Sequence, residues 1–229
     1  MSTYVAIVNA LKTECGVSGA TLTTLSNQVV EINRLAGWVN QAWVDIQEIH
    51  DDWFFLRQSF SFSTVAGQQS YTPTQAGIAA APGLGVWKRD SMRIYSTSVG
   101  VSNEMMMPCI GYDQFRDLWQ YGAMRTTQTR PTVFAIDPQF NLLLGAVPDA
   151  VYTVNGEYFQ APSTLSADSD VPVMPARWHN LIVYRAMQHY GMFEAAPEVL
   201  QRGQIEFSKM LSRLQAQQLP VMTFGESLC

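Results

Sequence analysis

Charged residues are scarce in this chain of 229 residues. Asp, Glu, Lys and Arg make up 14% of it, against about 25% in an average soluble protein. The net charge is −5, and the closest approach to a basic cluster is Lys88, Arg89 and Arg93. Tight binding of nucleic acid needs clustered cations. The composition therefore argues against a protein that recognises nucleic acid, although it is compatible with a channel wall that DNA merely passes. A low-charge surface also favours contacts with partner proteins.

Cysteine and long apolar runs are also scarce. Cys15, Cys109 and Cys229 are odd in number and far apart, with no C-x-x-C pair. This spacing disfavours a disulfide framework and a zinc site, and it fits synthesis in a reducing compartment. No apolar run approaches 18 residues, and no basic segment followed by an apolar one opens the chain. The sequence therefore predicts neither a membrane span nor a signal peptide.

One long amphipathic helix is the clearest element. Apolar residues recur from Ile32 at alternating spacings of three and four, the period of a single helical face. The pattern becomes strand-like at residues 53–56. A shorter helix is predicted at 4–14.

The middle of the chain, 53–175, is predicted to be a β-rich insertion. Tyr71 should open a return strand after a turn at 66–68, and further strands are expected at 86–95 and 104–110. A short helix is expected at 112–121, and then a meander, because turn signals separate the apolar runs 131–136, 142–144 and 151–159.

Two helices are predicted near the end, at 176–190 and 198–219. Pro197 suits the first turn of the second helix, and Pro220 ends it. The expected fold is α+β, a single domain over 1–229. In it, 1–52 and 176–219 form a helical bundle, 53–175 is an antiparallel β-rich insertion, and 220–229 is an extended tail. The predicted bundle core is Ile32, Leu35, Val39, Trp43, Ile46, Trp53, Trp178, Ile182, Phe207 and Leu211.

Histidines and carboxylates do not form a recognisable site. His50 stands at a helix end beside two aspartates, where polar residues usually cap, and His179 and His189 do not share the i, i+4 face of zinc motifs. Asp168 and Asp170 resemble half of a cation loop but lack its glycine and distal glutamate, so a turn is favoured. We therefore predict no catalytic residue, no cofactor and no metal.

Two stretches are candidates for contact surfaces. Met105–Met107 either fills the core or offers a soft surface. Residues 220–229 carry apolar side chains without a helical period, which favours docking on a neighbour or partner over docking on the chain's own body.

The order of packing and turn motifs resembles a known family. A helix leads into Asp52-Trp53-Phe54-Phe55-Leu56, followed by Phe60, Phe62 and Tyr71. Arg130-Pro131, Pro148, Tyr152, Glu157-Tyr158, Asp168-Ser169-Asp170, Pro172, Pro175 and Trp178-His179 come later. This order, over about 4–218, is similar to the head-to-tail adaptors of tailed bacteriophages, especially the short-tailed ones.

The resemblance implies a homo-oligomeric ring, usually of twelve copies, beneath the portal protein. It implies that the ring extends the DNA channel, without sequence-specific DNA binding or membrane contact, and that it receives a tail nozzle or tail-completion protein. The chain would be made in the bacterial cytoplasm and reside in the virion neck. The expected portal contacts are Pro220, Val221, Met222, Phe224 and Leu228, and the loops 73–85 and 96–103 are candidates for the tail side or for neighbouring subunits.

Other readings stay open. The long β middle departs from short-tailed relatives and suits a long-tailed phage, where the next component is a stopper or completion protein. The chain could also be a tail-tube, nozzle or head-completion component of the same neck. A virion-associated cell-wall hydrolase would use Glu157, or Asp168 and Asp170, as its carboxylates, although no partner carboxylate can be placed at the separation that glycosidases require.

Overall fold

Helices dominate the two ends of the chain and strands its middle, so the predicted mixed α+β class is confirmed. The structure, a computed structural model, describes residues 2–220. These residues divide into two compact units: a helical unit made of the chain up to Leu56 and from Pro162 onward, and a β unit, Arg57–Ala161. The β unit is narrower than the insertion predicted at 53–175, because both 53–56 and 162–175 belong to the helical unit.

The helical unit contains four of the helices, whose bounds lie close to those predicted. They are α1 (Tyr4–Glu14), α2 (Val30–Glu48), α4 (Asn180–Phe193) and α5 (Pro197–Gln218), while the short α3 (Tyr112–Phe115) lies in the β unit. Thr3 caps α1 by accepting a hydrogen bond from the Ala6 amide at 3.4 Å. Pro197 occupies the first turn of α5, where its missing N–H costs nothing. Helix α4 packs against α1, α2 and α5.

Most of the predicted bundle core is buried. Eight of its members are less than 9% exposed: Ile32, Leu35, Val39, Trp43, Ile46, Trp53, Trp178 and Ile182. Phe207 and Leu211 differ from the prediction, because both are only half-buried. On α5 the buried positions are Gly203 and Leu214, since this helix packs mainly on α4 and leaves its other sides in solvent.

The connector at 162–175 is held by side-chain amides of α2. Gln47 accepts a hydrogen bond from the Ser163 amide at 3.0 Å and donates to the Ser163 carbonyl at 2.9 Å. Asn40 likewise accepts a hydrogen bond from the Leu165 amide and donates one to the Leu165 carbonyl, both at 2.7 Å. The two amides stand seven residues apart on one helical face and bind residues two apart in the connector, which therefore runs along α2 in an extended conformation.

The β unit contains two antiparallel sheets. Its strands are β1 (Arg57–Ser63), β2 (Ser70–Tyr71), β3 (Leu84–Trp87), β4 (Arg93–Ser96), β5 (Met105–Met106), β6 (Val133–Ile136), β7 (Leu142–Gly145) and β8 (Tyr152–Gln160). In the first sheet β8 is central: it pairs with β1 along its length on one side and with β3 and β4 on the other, and β5 pairs with β4. The second sheet has the order β2-β7-β6.

Several local predictions for the middle were wrong. Residues 54–56 form a 3-10 turn, so β1 begins only at Arg57. Tyr71 does not return along β1, because β2 pairs with β7. The meander ends after β7, since β8 pairs with β1 instead of β7. The strand expected at 86–95 is two strands, separated by a turn in which the Ser91 amide donates to the Lys88 carbonyl at 3.2 Å.

Aromatic side chains fill the core of the β unit. Phe60 and Phe62 point inward from β1, and the ring centroid of Phe60 lies 5.0 Å from that of Trp87 in an edge-on arrangement. The opposing strand makes room for this ring at Gly156, because a β-carbon built there would lie 2.8 Å from Phe60 Cε1. The alternating inward and outward residues of β1 thus follow the pattern from which the strand was predicted.

Candidate interaction surfaces

A partly exposed aromatic cluster lies where α2 meets α4. Val30, Arg34 and Trp38 stand four residues apart on one face of α2. The Trp38 ring lies edge-on to Tyr190 at 5.8 Å between centroids and tilted against Phe193 at 5.4 Å. We call these five residues the aromatic patch.

The patch is partly open to solvent: Arg34, Trp38 and Tyr190 are half-buried. Phe193 is 56% exposed and Val30 74% exposed. The guanidinium carbon of Arg34 lies 4.2 Å from the centroid of the Phe193 ring, and an Arg34 nitrogen lies 3.9 Å from a Glu194 carboxylate oxygen. Clusters of Trp, Tyr and Arg that are ordered yet exposed are typical of the residues that dominate binding energy at protein interfaces.

A polar cluster joins the same two helices about two turns further along α2. Asp45 Oδ2 on α2 accepts a hydrogen bond from Arg185 Nε at 2.8 Å. Arg185 Nη2 lies 2.7 Å from the same oxygen in an ion pair, and His189 Nε2 lies 3.1 Å from it. Burial raises the pKa of Asp45, but hydrogen bonds from Gln41 and Arg185 and the positive charge of the α4 side chains outweigh it and lower the pKa below its usual value. The cluster fixes α2 against α4 and therefore fixes the geometry of the patch.

The loops of the β unit expected to contact the tail or neighbouring subunits carry exposed apolar side chains. Val99 and Val101 are 60% and 71% exposed, inside the predicted 96–103 loop. Phe140, 54% exposed, borders a shallow groove of about 420 Å³ along Pro73–Leu84. In the methionine stretch Met107 is buried and Met106 is half-exposed, so this stretch serves both the core and the surface.

The carboxylates and histidines weighed as catalytic groups have structural partners. Asp168 Oδ1 accepts the Leu25 amide at 2.9 Å, and Asp170 accepts the amides of Ser166 and Ala167, both at 2.7 Å. These amides lower the pKa of Asp170. Glu157 forms an ion pair with Arg57. The pair is therefore a feature of the β1–β8 ladder.

The histidines also serve the packing of the helical unit. His50 lies edge-on to Trp53, with 5.1 Å between ring centroids, and 2.9 Å from the Gln215 amide nitrogen. His179 Nε2 lies 2.9 Å from the Met174 carbonyl oxygen. Between residues 2 and 220, no three His, Cys, Asp or Glu side chains converge as metal ligands.

Thiol chemistry finds no support at the two described cysteines. Burial raises the pKa of Cys15 to about 12, with a smaller contribution from Glu14, and burial also raises the pKa of Cys109. A thiol is nucleophilic as its thiolate, so neither is activated.

Of the predicted portal contacts, Pro220 is exposed and is the last residue described. Val221, Met222, Phe224 and Leu228 lie outside the described residues. The aromatic patch was not anticipated from the sequence. The one feature of the sequence that could have indicated the patch is the spacing of Val30, Arg34 and Trp38. These residues lie beside the apolar face of α2 and not on it.

These surfaces are typical of a protein that acts by binding other proteins, and none of the described helices is long and apolar enough to cross a bilayer. The family described as SU10 adaptor protein matches residues 2–223, and the chain belongs to this family of phage head-to-tail adaptors. It is thus a structural protein of a bacteriophage. No curated protein matches the sequence.

Proposed function

We propose that the chain forms a ring, a dodecamer, beneath the portal protein of the virion neck, where it extends the DNA channel and provides the platform to which the tail attaches. The observation that carries this proposal is the family match over 2–223. Membership in an adaptor family implies interaction with portal and tail components. The chain acts through its surfaces, without catalysis and without a cofactor, and is made in the host cytoplasm before assembly.

The aromatic patch is the contact surface for the adjacent subunit. A ring of identical chains needs a heterologous contact, in which one surface of each subunit meets a different surface of the next. The edge-on contact of Trp38 with Tyr190 and its tilted contact with Phe193 hold these side chains in place before binding. Preorganised aromatic groups lose little conformational entropy on association, which makes the patch suited to a permanent interface.

The extended segment 220–229 docks on the portal, and the loops at 73–85 and 96–103 face the tail component or neighbouring subunits. Obligate interfaces of this kind commonly bury more than about 2,000 Å². A chain with 14% charged residues has a surface that suits such burial, because desolvating a charge is costly. DNA passes through the lumen without being read, as the net charge of −5 and the absence of a basic run in the sequence suggest.

Removal of residues 220–229 tests the portal assignment. We expect the truncated chain to keep its far-ultraviolet circular dichroism, because the described helices end at Gln218. It should fail to add a second ring beneath purified portal in electron micrographs, while the full chain adds one. Truncated protein that still docks on the portal would show that the segment is not the contact.

Mixing the full chain separately with portal and with nozzle protein distinguishes an adaptor from a component lower in the neck. An adaptor binds the portal directly. A chain that binds only the nozzle protein would overturn the proposed position.

A further inference from the structure

Lys12 is a buried lysine that has no carboxylate partner among residues 2–220, which the structure describes. It lies in the last turn of α1 and is 6% exposed, and its Nζ donates a hydrogen bond to the Ala20 carbonyl at 2.6 Å. No carboxylate oxygen of the described residues lies within 4.0 Å of this nitrogen. The other two lysines of the chain do have such partners: Lys88 is 2.7 Å from Asp90, and Lys209 is 2.8 Å from Glu206.

Asn9 also holds the loop that covers the lysine. The Asn9 side chain donates to the Leu22 carbonyl at 2.9 Å and accepts from the Leu22 amide at 2.8 Å, which anchors this loop from the same helix. An ammonium carries three N–H donors, and Ala20 uses one. Burying a lone charge costs several kcal/mol unless a counter-charge arrives, and lysine is rarely buried unless paired.

A cavity gives access to this ammonium. It has a volume of about 230 Å³ and is lined by Asn9, Ala10, Lys12, Thr13, Val17, Gly19 and Thr21. A volume of this size admits several water molecules. Gly19 keeps the approach open, because a β-carbon built there would lie 3.2 Å from Lys12 Nζ.

From these observations we propose that the cavity binds a carboxylate group, with Lys12 as its counter-ion and the hydroxyl of Thr21, a lining residue, as a further donor. A carboxylate is favoured over a phosphate because Lys12 is the single cationic side chain among the lining residues. One ammonium balances one negative charge, whereas a phosphate dianion calls for more. The site does not depend on the adaptor role, and an acidic side chain of a partner protein is the natural source of the ligand.

Lysine-selective NMR tests the site on the unmodified full chain. With ¹³C-labelled lysine, three ε-methylene signals are expected, one for each lysine, and Lys88→Arg and Lys209→Arg identify them. Sodium acetate is titrated against sodium chloride at equal ionic strength. We expect the Lys12 signal to move to a plateau with acetate and to stay nearly fixed with chloride, while the signals of Lys88 and Lys209 drift weakly in both salts.

Three results would overturn the proposal. The Lys12 signal could move no further than those of Lys88 and Lys209, which would leave it as a lysine that only binds the Ala20 carbonyl. It could respond to chloride as it does to acetate, which would indicate general screening. It could saturate with sodium phosphate and not with acetate, which would assign the cavity to phosphate. As a second measurement, Lys12→Met should abolish the rise in melting temperature that acetate produces relative to chloride.

Discussion

The guanidinium of Arg34 lies over the ring of Phe193, 4.2 Å from its centroid, and joins two helices at a surface that is otherwise exposed. A cation above an aromatic face is attracted by the ring quadrupole, by about 0.5–1 kcal/mol at an exposed site. That is too little to explain why the fold leaves Phe193 56% exposed to solvent. The free-energy cost of exposing this apolar surface is accounted for if the same surface is covered in an assembly.

Phe193→Ala should therefore weaken the association of subunits much more than it affects their folding. Loss of an aromatic residue at the centre of an interface typically costs about 2 kcal/mol or more, which corresponds to roughly a 30-fold weaker association. The measurement is the ring population as a function of concentration, by sedimentation velocity. Phe54→Ala, which removes a 40% exposed phenylalanine from the same unit, is the matched control. Equal effects of the two variants would remove the patch from the interface.

Asp45→Asn should destabilise the protein in a pH-dependent manner. The lowered pKa of Asp45 means that the folded state binds the proton less readily than the unfolded state. The carboxylate's contribution is therefore fully present above the unfolded pKa, near 4, and is lost as the pH falls through the lower folded pKa. We expect the variant to lose about 1–3 kcal/mol at pH 7.

Urea denaturation of both proteins at pH 7, 4 and 2.5 provides the check. The gap between them should narrow below about pH 4. A gap that stays constant over this range would show that Asp45 contributes through packing or hydrogen bonding alone, without its charge.

The extent to which the sequence predicts this fold depends on how local each pattern is. Helix α1 has the predicted bounds because its apolar spacing, from Tyr4 to Leu11, joins residues only three or four positions apart. The pairing of β1 with β8 joins residues such as Ser59 and Glu157, 98 positions apart, and alternation within a strand says nothing about its partner. The meander prediction assumed that consecutive strands are neighbours, which fails for β8.

Polar positions on an amphipathic helix are the second limit. Asn40 and Gln47 read as solvent-facing residues of α2, yet Gln47 is 1% exposed because it pairs with the connector backbone. Such pairing depends on a segment more than a hundred residues away. The aromatic patch was not predicted for a related reason. Whether Phe193 is exposed depends on which distant segments pack near it, and its own local sequence does not tell this.

Gln47→Met should lower stability strongly although it keeps the side-chain volume. Without the amide, the Ser163 N–H and C=O lose their hydrogen-bond partners in a part-buried position. Unsatisfied polar groups of this kind cost about 1–3 kcal/mol. Urea denaturation measures the loss, and Gln204→Met on the exposed side of α5 is the control, expected to stay within about 0.5 kcal/mol of the unmodified protein. If Gln47→Met is as stable as the control, the amide does not hold the connector.

Gly191→Ala should destabilise the α4–α5 pair, although alanine favours helices by about 1 kcal/mol over glycine. A β-carbon built on Gly191 would lie 2.8 Å from the Leu200 amide nitrogen. The clash is with backbone, which cannot relieve it by rotating as the end of a flexible side chain can. Displacing α5 should cost about 1–3 kcal/mol. Gly37→Ala provides the opposite expectation, because a β-carbon there would have no neighbour within 4 Å, so it should raise the melting temperature. Stabilisation of both variants by the same amount would mean that α4 and α5 are not held at this close approach in solution.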